Sequence, residues 1–245
     1  MKILIIPDVH GRSFWKEAVE QHMDECDKVI FLGDYIDPYE DEHITRKQSI
    51  ATLDEIISFK RENPDKVVLL IGNHDAHYCL HGFVKSSRFD SSHQHKIRER
   101  FLSHKSLFKL AHEETVGGKR ILFTHAGLMN SWVERNQAVI TDTSADGLNK
   151  LLDCPGGTMA LCDISKYRTW LGDPTGSILW SDIMEKGDVD DNGKVFSNED
   201  AAAKGYDFQI FGHTLIKQQI ITDAWACLDC MKAFILNDDG GIVEC

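Results

Sequence analysis

Ile3-Leu4-Ile5-Ile6-Pro7-Asp8-Val9-His10-Gly11 is the stretch on which the fold turns. Four consecutive aliphatic residues read as a strand buried on both faces, and the strand stops on a carboxylate, an imidazole and a glycine. Working outward, the same plan recurs. Residues 29–32 run into Gly33-Asp34, residues 67–71 into Gly72-Asn73-His74-Asp75, residues 121–123 into Thr124-His125-Ala126-Gly127, and residues 208–211 into Gly212-His213-Thr214. Each strand delivers Asp, Asn or His to its carboxyl end, usually beside a glycine that permits a sharp turn. That edge is where open α/β sheets bind ligands. One such ending means little. Five are hard to explain by core packing, which has no use for ionisable groups.

Helical patterns separate the first strands. Ser13 is placed to cap a helix carrying Trp15, Ala18, Val19, His22 and Met23 on one face. Thr45 and Gln48 have capping-box spacing before Ile50, Leu53 and Ile57, and Asn63-Pro64 stops that helix. Strand–helix–strand alternation implies a parallel sheet. The C-terminal part reads differently: residues 219–222, 225–228, 233–236 and 242–243 are short strands broken by Asp, Asn and Gly, an antiparallel meander. Residues 76–112 look helical, residues 130–177 mixed. With no repeat and no linker, the expectation is one α/β domain over 1–245, with insertions at about 76–112 and 130–205.

Composition bounds the class. The chain has 245 residues, 42% hydrophobic and 27% charged, which excludes a disordered or collagen-like protein. A chain of this size needs no disulfide or metal to make a core. No apolar run is long enough to cross a bilayer, and Pro7-Asp8-Val9-His10 ends the first one without a signal-peptide cleavage site. A net charge of −12 makes duplex nucleic acid a poor partner and supplies carboxylates for metals. Seven cysteines, an odd number, fit reduced thiols in a cytoplasmic protein. Cys227-Leu228-Asp229-Cys230 reads as strand packing rather than a redox or zinc motif.

Asp8, His10, Asp34, Asn73, His125 and His213 form a mixed oxygen and nitrogen donor set. It suits Mn²⁺, Fe or Zn²⁺ better than Ca²⁺ or soft metals. Six donors exceed one four-coordinate site and match two metals sharing a carboxylate. Asp8-x-His10-Gly11, Gly33-Asp34-x-x-Asp37, Gly72-Asn73-His74-Asp75, His125-x-Gly127 and Gly212-His213 together resemble the motifs of the calcineurin-like metallophosphoesterases, in the family's order from residue 3 to about 215. The resemblance implies a two-sheet β-sandwich flanked by helices. It also implies two divalent metal ions, with Asp8 and His10 on the first, Asp34 bridging, and Asn73, His125 and His213 on the second. A hydroxide bridging the metals is then the nucleophile, His74 the general acid, and Asp75 the residue that orients its ring.

Within that family the motifs are most similar to the Ser/Thr phosphoprotein phosphatases. Ile178-Leu179-Trp180-Ser181-Asp182 matches their Leu-Trp-Ser-Asp segment, and Leu215 stands where many other members have a second histidine. Their Asp-Arg-Gly becomes Asp37-Pro38-Tyr39 here, and Pro38 cannot clamp a phosphate. Arg12 is the candidate to supply that charge, ahead of Lys194. The expected activity is phosphomonoester hydrolysis on a phosphoprotein or small phosphoester. The alternatives are a phosphodiesterase, a dinucleoside polyphosphate hydrolase or an RNA-end-processing enzyme, and behind these a non-catalytic metal-binding scaffold. Asp188-x-Asp190-x-Asn192-Gly193 with Glu199 has EF-hand spacing, but in an acidic chain it reads as an acidic turn. The histidines at 77, 81, 93, 95, 104 and 112 are expected to line a substrate-side insertion or to face solvent.

Overall fold

Aliphatic runs with no polar face need cover on both sides, and the computed structural model, which describes residues 1–245, places them within two principal sheets. In chain order the elements begin with β1 (Ile3–Ile6), α1 (Phe14–His22), β2 (Lys28–Phe31), α2 (Arg46–Glu62), β3 (Val67–Leu70), α3 (Asn73–Cys79), α4 (Gln94–Ser103) and β4 (Phe108–Lys109). They continue with β5 (Ala111–Val116), β6 (Lys119–Thr124), α5 (Asn130–Arg135), α6 (Ala145–Asn149), α7 (Gly157–Leu161), β7 (Gly187–Val189), β8 (Val195–Ser197), β9 (Phe208–Phe211), β10 (Ile220–Ile221), β11 (Trp225–Cys227), β12 (Phe234–Leu236) and β13 (Ile242–Glu244). Two compact units result: Met1–Lys109 with Met231–Cys245, and Leu110–Cys230.

The first unit holds a six-stranded sheet of order β13-β12-β1-β2-β3-β4. Strands β1 to β4 run parallel, and every residue of β1 and β3 is buried. Helix α2 starts on the capping box read from sequence: Gln48 N–H donates to Thr45 Oγ1 at 3.2 Å and Thr45 N–H to Gln48 Oε1 at 2.8 Å. Ser13 precedes α1 but makes no side-chain cap. The second unit holds a five-stranded sheet of order β10-β11-β9-β6-β5, with β6, β9 and β11 parallel.

The α/β class with two main sheets flanked by helices is as the sequence implied. Its antiparallel C-terminal part is two hairpins rather than one run. β10 and β11 join the second sheet, because β11 pairs parallel with β9; β12 and β13 join the first, because β12 pairs with β1. The helical expectation for 76–112 holds for α4 only in part. Residues 108–109 and 111–116 are strands, and β5 closes onto β6 through Gly117-Gly118, both at positive φ (59° and 78°). That is a two-residue hairpin turn, and it overrides the local helical pattern.

Below the loop that follows β6 lies a fully buried lysine. Lys186 Nζ bonds Ser181 Oγ and lies 3.3 Å from Asp182 O, while Ser181 Oγ donates to the carbonyls of Ala126 (2.7 Å) and Gly127 (3.0 Å). Burial lowers the Lys186 ammonium from 10.5 to about 8. The folded state therefore binds this proton less tightly than the unfolded chain, so stability is diminished below about pH 8 and recovers as pH rises toward 10.5. Lys186→Met is expected to raise the unfolding free energy at pH 7 by up to about 3 kcal/mol, with the gain fading between about pH 8 and 10.5. Urea titrations of both proteins at pH 7 and pH 10 check this; an equal or absent gain at the two pH values contradicts it.

Candidate active site

The first unit builds its site from loops held in strained conformations. His10, Asp34 and Asp37 all have positive φ (46°, 53° and 58°), a region that non-glycine residues seldom occupy. The loops after β1 and β2 are zipped together by His10 N–H to Asp34 O (2.6 Å) and Gly11 N–H to Tyr35 O (2.9 Å). The loop after β3 presses so close that a Cβ on Gly72 would lie 2.0 Å from Asp34 Oδ1, so only glycine fits. Asp34 is fixed in turn by His74 N–H, which donates to Oδ1 at 2.9 Å.

Asp8, His10 and Asp34 are all buried, and one ligand atom of each lies within 4.8 Å of the others. His10 Nδ1 lies 2.8 Å from Ile36 O, so this nitrogen carries the proton and Nε2, 3.5 Å from Asp34 Oδ2, presents its lone pair to the cluster. Burial pushes the His10 imidazolium down to about 3, so the ring is neutral at physiological pH. A neutral imidazole oriented through its other nitrogen is what a metal ligand needs. The residues of this cluster fit a divalent metal in donor type and geometry.

Helix α3 begins with Asn73, buried, and His74. The structure corrects the expected role of Asp75. Its carboxylate accepts from the backbone N–H groups of Asp34 (2.7 Å), Tyr35 (3.0 Å) and Gly72 (2.9 Å), and is spent on holding loops. The ring of His74 is held by Asp37, whose Oδ2 lies 3.0 Å from Nδ1. His77, one helical turn on, places Nε2 2.9 Å from the same oxygen, and Tyr78 donates its hydroxyl to Asp37 Oδ1 at 2.8 Å. Burial acts to raise the Asp37 carboxyl, but the hydrogen bonds from His74 and His77 outweigh it and hold it below its ordinary value. His77 is thus neither solvent-facing nor idle. Its i+3 spacing from His74 was the signal available in the sequence.

Two arginines bear on this cluster, Arg12 and Arg88. Arg12 has Nε and Nη2 on Glu42 Oε1 (2.8 and 2.7 Å) and Nη1 on Asp8 O (3.1 Å), which leaves it committed to carboxylate and backbone. Arg88, which nothing in the sequence marked, enters the site. Its Nη2 lies 3.2 Å from His10 Nε2 and 3.3 Å from His74 Nε2, its Nε donates to Asp37 O at 2.9 Å, and its guanidinium covers the Tyr39 ring at 3.7 Å.

The second unit brings together the remaining two imidazoles. His125 follows β6 and His213 follows β9, neighbouring parallel strands, so that His125 Nε2 and His213 Nδ1 are 3.1 Å apart. His213 also has positive φ, 68°. Arg168 steadies this end with Nη2 on Thr214 Oγ1 at 2.6 Å and Nε on Asp182 Oδ2 at 2.5 Å. The Trp180-Ser181-Asp182 segment is therefore a buried prop for the two histidine loops. Residues 187–197 form the β7–β8 hairpin, with Asp190 Oδ1 accepting from Asn192 N–H and Lys194 N–H at 2.9 Å each. Lys194 caps that turn.

The family profile of the calcineurin-like phosphoesterases matches residues 1–217. Among curated protein sequences none matches the chain. In solved structures the chain is similar to a cold-active protein-tyrosine phosphatase of a psychrophilic Shewanella species, with a TM-score of 0.59, 13% identity, and 99% of this chain and 80% of that one covered. It is also similar to a protein serine/threonine phosphatase from Saccharomyces cerevisiae, with a TM-score of 0.56, 14% identity, and 100% and 78% covered. At such identities the likeness carries the fold. The family match spans most of the chain, and the donor clusters supply the chemistry it needs. The chain belongs to the calcineurin-like phosphoesterases and is a metal-dependent hydrolase of phosphoric esters.

Proposed function

We propose that the protein is a phosphomonoesterase of the Ser/Thr phosphatase type, acting on a phosphoprotein or a small phosphoester. The observation that carries this reading is His74, held through Nδ1 by the Asp37 carboxylate with its ring edge-on to His10 at 5.1 Å between centroids. An acid placed beside metal ligands serves the departure of a poor leaving group. A diesterase is the second reading, favoured by Pro38 where the related phosphatases carry arginine.

In the proposed centre, Asp8 and His10 would hold one divalent ion, Asp34 would serve both, and Asn73, His125 and His213 would hold the other, within a single 1–245 domain whose 76–112 and 130–205 segments are insertions. Mn²⁺ suits the imidazole-rich set better than Mg²⁺, and Fe or Zn²⁺ also match it. When bound, such ions lower the pKa of water from 15.7 to about 7 and offset phosphoryl charge. The protein's part is to place the acid. Water oxygen bonds to phosphorus, the ester P–O bond breaks, and the His74 Nε2 proton passes to the departing oxygen, leaving a neutral imidazole that solvent reprotonates. Asp37, at 3.0 Å from Nδ1, fixes the tilt of the ring. All seven cysteines are unpaired, which supports a cytoplasmic setting, and no helix is long and apolar enough to cross a membrane.

Activity is expected to vanish on chelation and return with Mn²⁺ at least as well as with Mg²⁺. Elemental analysis should find Asp34→Asn poorer in metal than Asn73→Asp, because the carboxylate serves two ions and the amide one. Full activity in a metal-free preparation, or equal metal retention by the two variants, contradicts these assignments. His74→Asn is expected to keep its metals and to lose about 10²–10⁴-fold in turnover on an alkyl phosphate, and less on nitrophenyl phosphate, whose leaving group departs without a proton. Asp37→Asn should follow the same trend, whereas Asp75→Asn should lower the melting temperature. One common rate factor across leaving groups of differing pKa would show that His74 positions substrate instead.

A further inference from the structure

We propose that Arg88 takes the third non-ester oxygen of the phosphoryl group and so restricts the site to phosphate monoesters, an inference that rests on the phosphoester-hydrolase reading above and names its substrate class. Arg88 lies in the segment between α3 and α4, outside every motif that marks the family. It is half-buried, and it contacts four of the residues just described. Nε donates to Asp37 O, the guanidinium plane covers Tyr39, and Nη2 points between His10 Nε2 and His74 Nε2.

That last position decides the chemistry. His74 Nε2 must reach the departing oxygen, and His10 Nε2 is a metal-ligand atom in the proposed centre. The reacting phosphoryl group is therefore addressed from both of the atoms that Arg88 Nη2 approaches. The Arg88 guanidinium, permanently charged and carrying a planar fork of N–H donors, stands beside both nitrogens and matches an oxyanion placed there. A monoester at neutral pH carries close to two negative charges and three non-ester oxygens. A diester carries one charge and two such oxygens, with an ester substituent in the third place, where it would meet the guanidinium. Arg12 cannot take this part, because its donors are committed to Glu42 and Asp8 O.

The segment is fixed independently of the arginine side chain. Phe89 stacks on Tyr78 at 4.9 Å, Asp90 N–H donates to Tyr78 Oη at 2.6 Å, and Ser86 Oγ lies 2.9 Å from Nδ1 of both His74 and His77. Removing the guanidinium therefore leaves the loop in place. Asp37 and Tyr39 are positioning residues for it, as Asp37 is for His74.

The test uses the full chain loaded with Mn²⁺, comparing wild type with Arg88→Ala and Arg88→Lys. Calorimetric titration with inorganic phosphate is expected to show about 10–100-fold weaker binding in Arg88→Ala, the range of a lost charge-assisted hydrogen bond. Metal content should be unchanged by elemental analysis. The ratio of kcat/KM on nitrophenyl phosphate to that on bis-nitrophenyl phosphate should fall at least about tenfold. Arg88→Lys should recover part of the phosphate affinity and little of the ratio, since an ammonium keeps charge but not the planar fork. Equal losses on both esters, or unchanged phosphate binding, overturn the proposal and leave Arg88 a structural residue. If the wild type hydrolyses neither ester, the phosphatase reading fails separately. The phosphate titration then still decides whether Arg88 binds the anion.

Discussion

The first unit depends on a reciprocal clasp between two aspartates. Asp75 gathers the backbone N–H groups of Asp34, Tyr35 and Gly72, while Asp34 accepts the N–H of His74, the residue before Asp75. Each carboxylate thus fixes the loop that carries the other. Parallel strands deliver their loops to one edge of a sheet but do not set the loops' mutual register. The clasp does, and it tolerates a left-handed backbone at Asp34 because the local hydrogen bonds over-determine it. The closeness of Gly33 and Gly72 is part of the same device: a Cβ on Gly33 would meet Gly72 N at 2.5 Å.

Much of this was legible because the code is local. A buried strand announces itself by an unbroken aliphatic run, and an ionisable residue just after it has no packing reason to be there. Asp8, His10, Asp34, Asn73, His125 and His213 were found in that way, and each lies buried at or just past a strand end. What the sequence hid was partner choice. Asp75 follows His74 directly, yet consecutive helical residues do not face each other. The ring turns instead to Asp37, brought near by the loop after β2. Arg12 follows the first motif and reads as available, until Glu42 occupies it. Arg88 sits in a segment with no periodicity, and its location follows from Tyr78, Phe89 and Asp90 anchoring the loop. Contacts of this sort are set by tertiary packing and leave no mark in a short window.

The second unit solves a related problem with a cation. Its two histidine loops are braced from beneath by Ser181, Asp182, Arg168 and Lys186, so the Trp180-Ser181-Asp182 segment acts as a scaffold for them. A buried ammonium costs stability unless its partners are well placed. Its presence beneath His125 is consistent with the general tendency of functional sites to be assembled at the expense of the fold.

The pairing of β1 with β12 bears on how the chain is made. Ile3 faces Leu236 and Ile5 faces Phe234, so one flank of β1 is covered by a strand far downstream in the chain. Such a contact closes a very long loop, a slow kind to form. While translation proceeds, β1 can pair with β2 but offers its other side as an open row of backbone donors and acceptors, the kind of edge that invites pairing with foreign strands. A nascent chain stalled before residue 234 therefore carries a sticky, aliphatic edge beside its future catalytic loops. Until β12 emerges, that edge stays open to pairing with other chains.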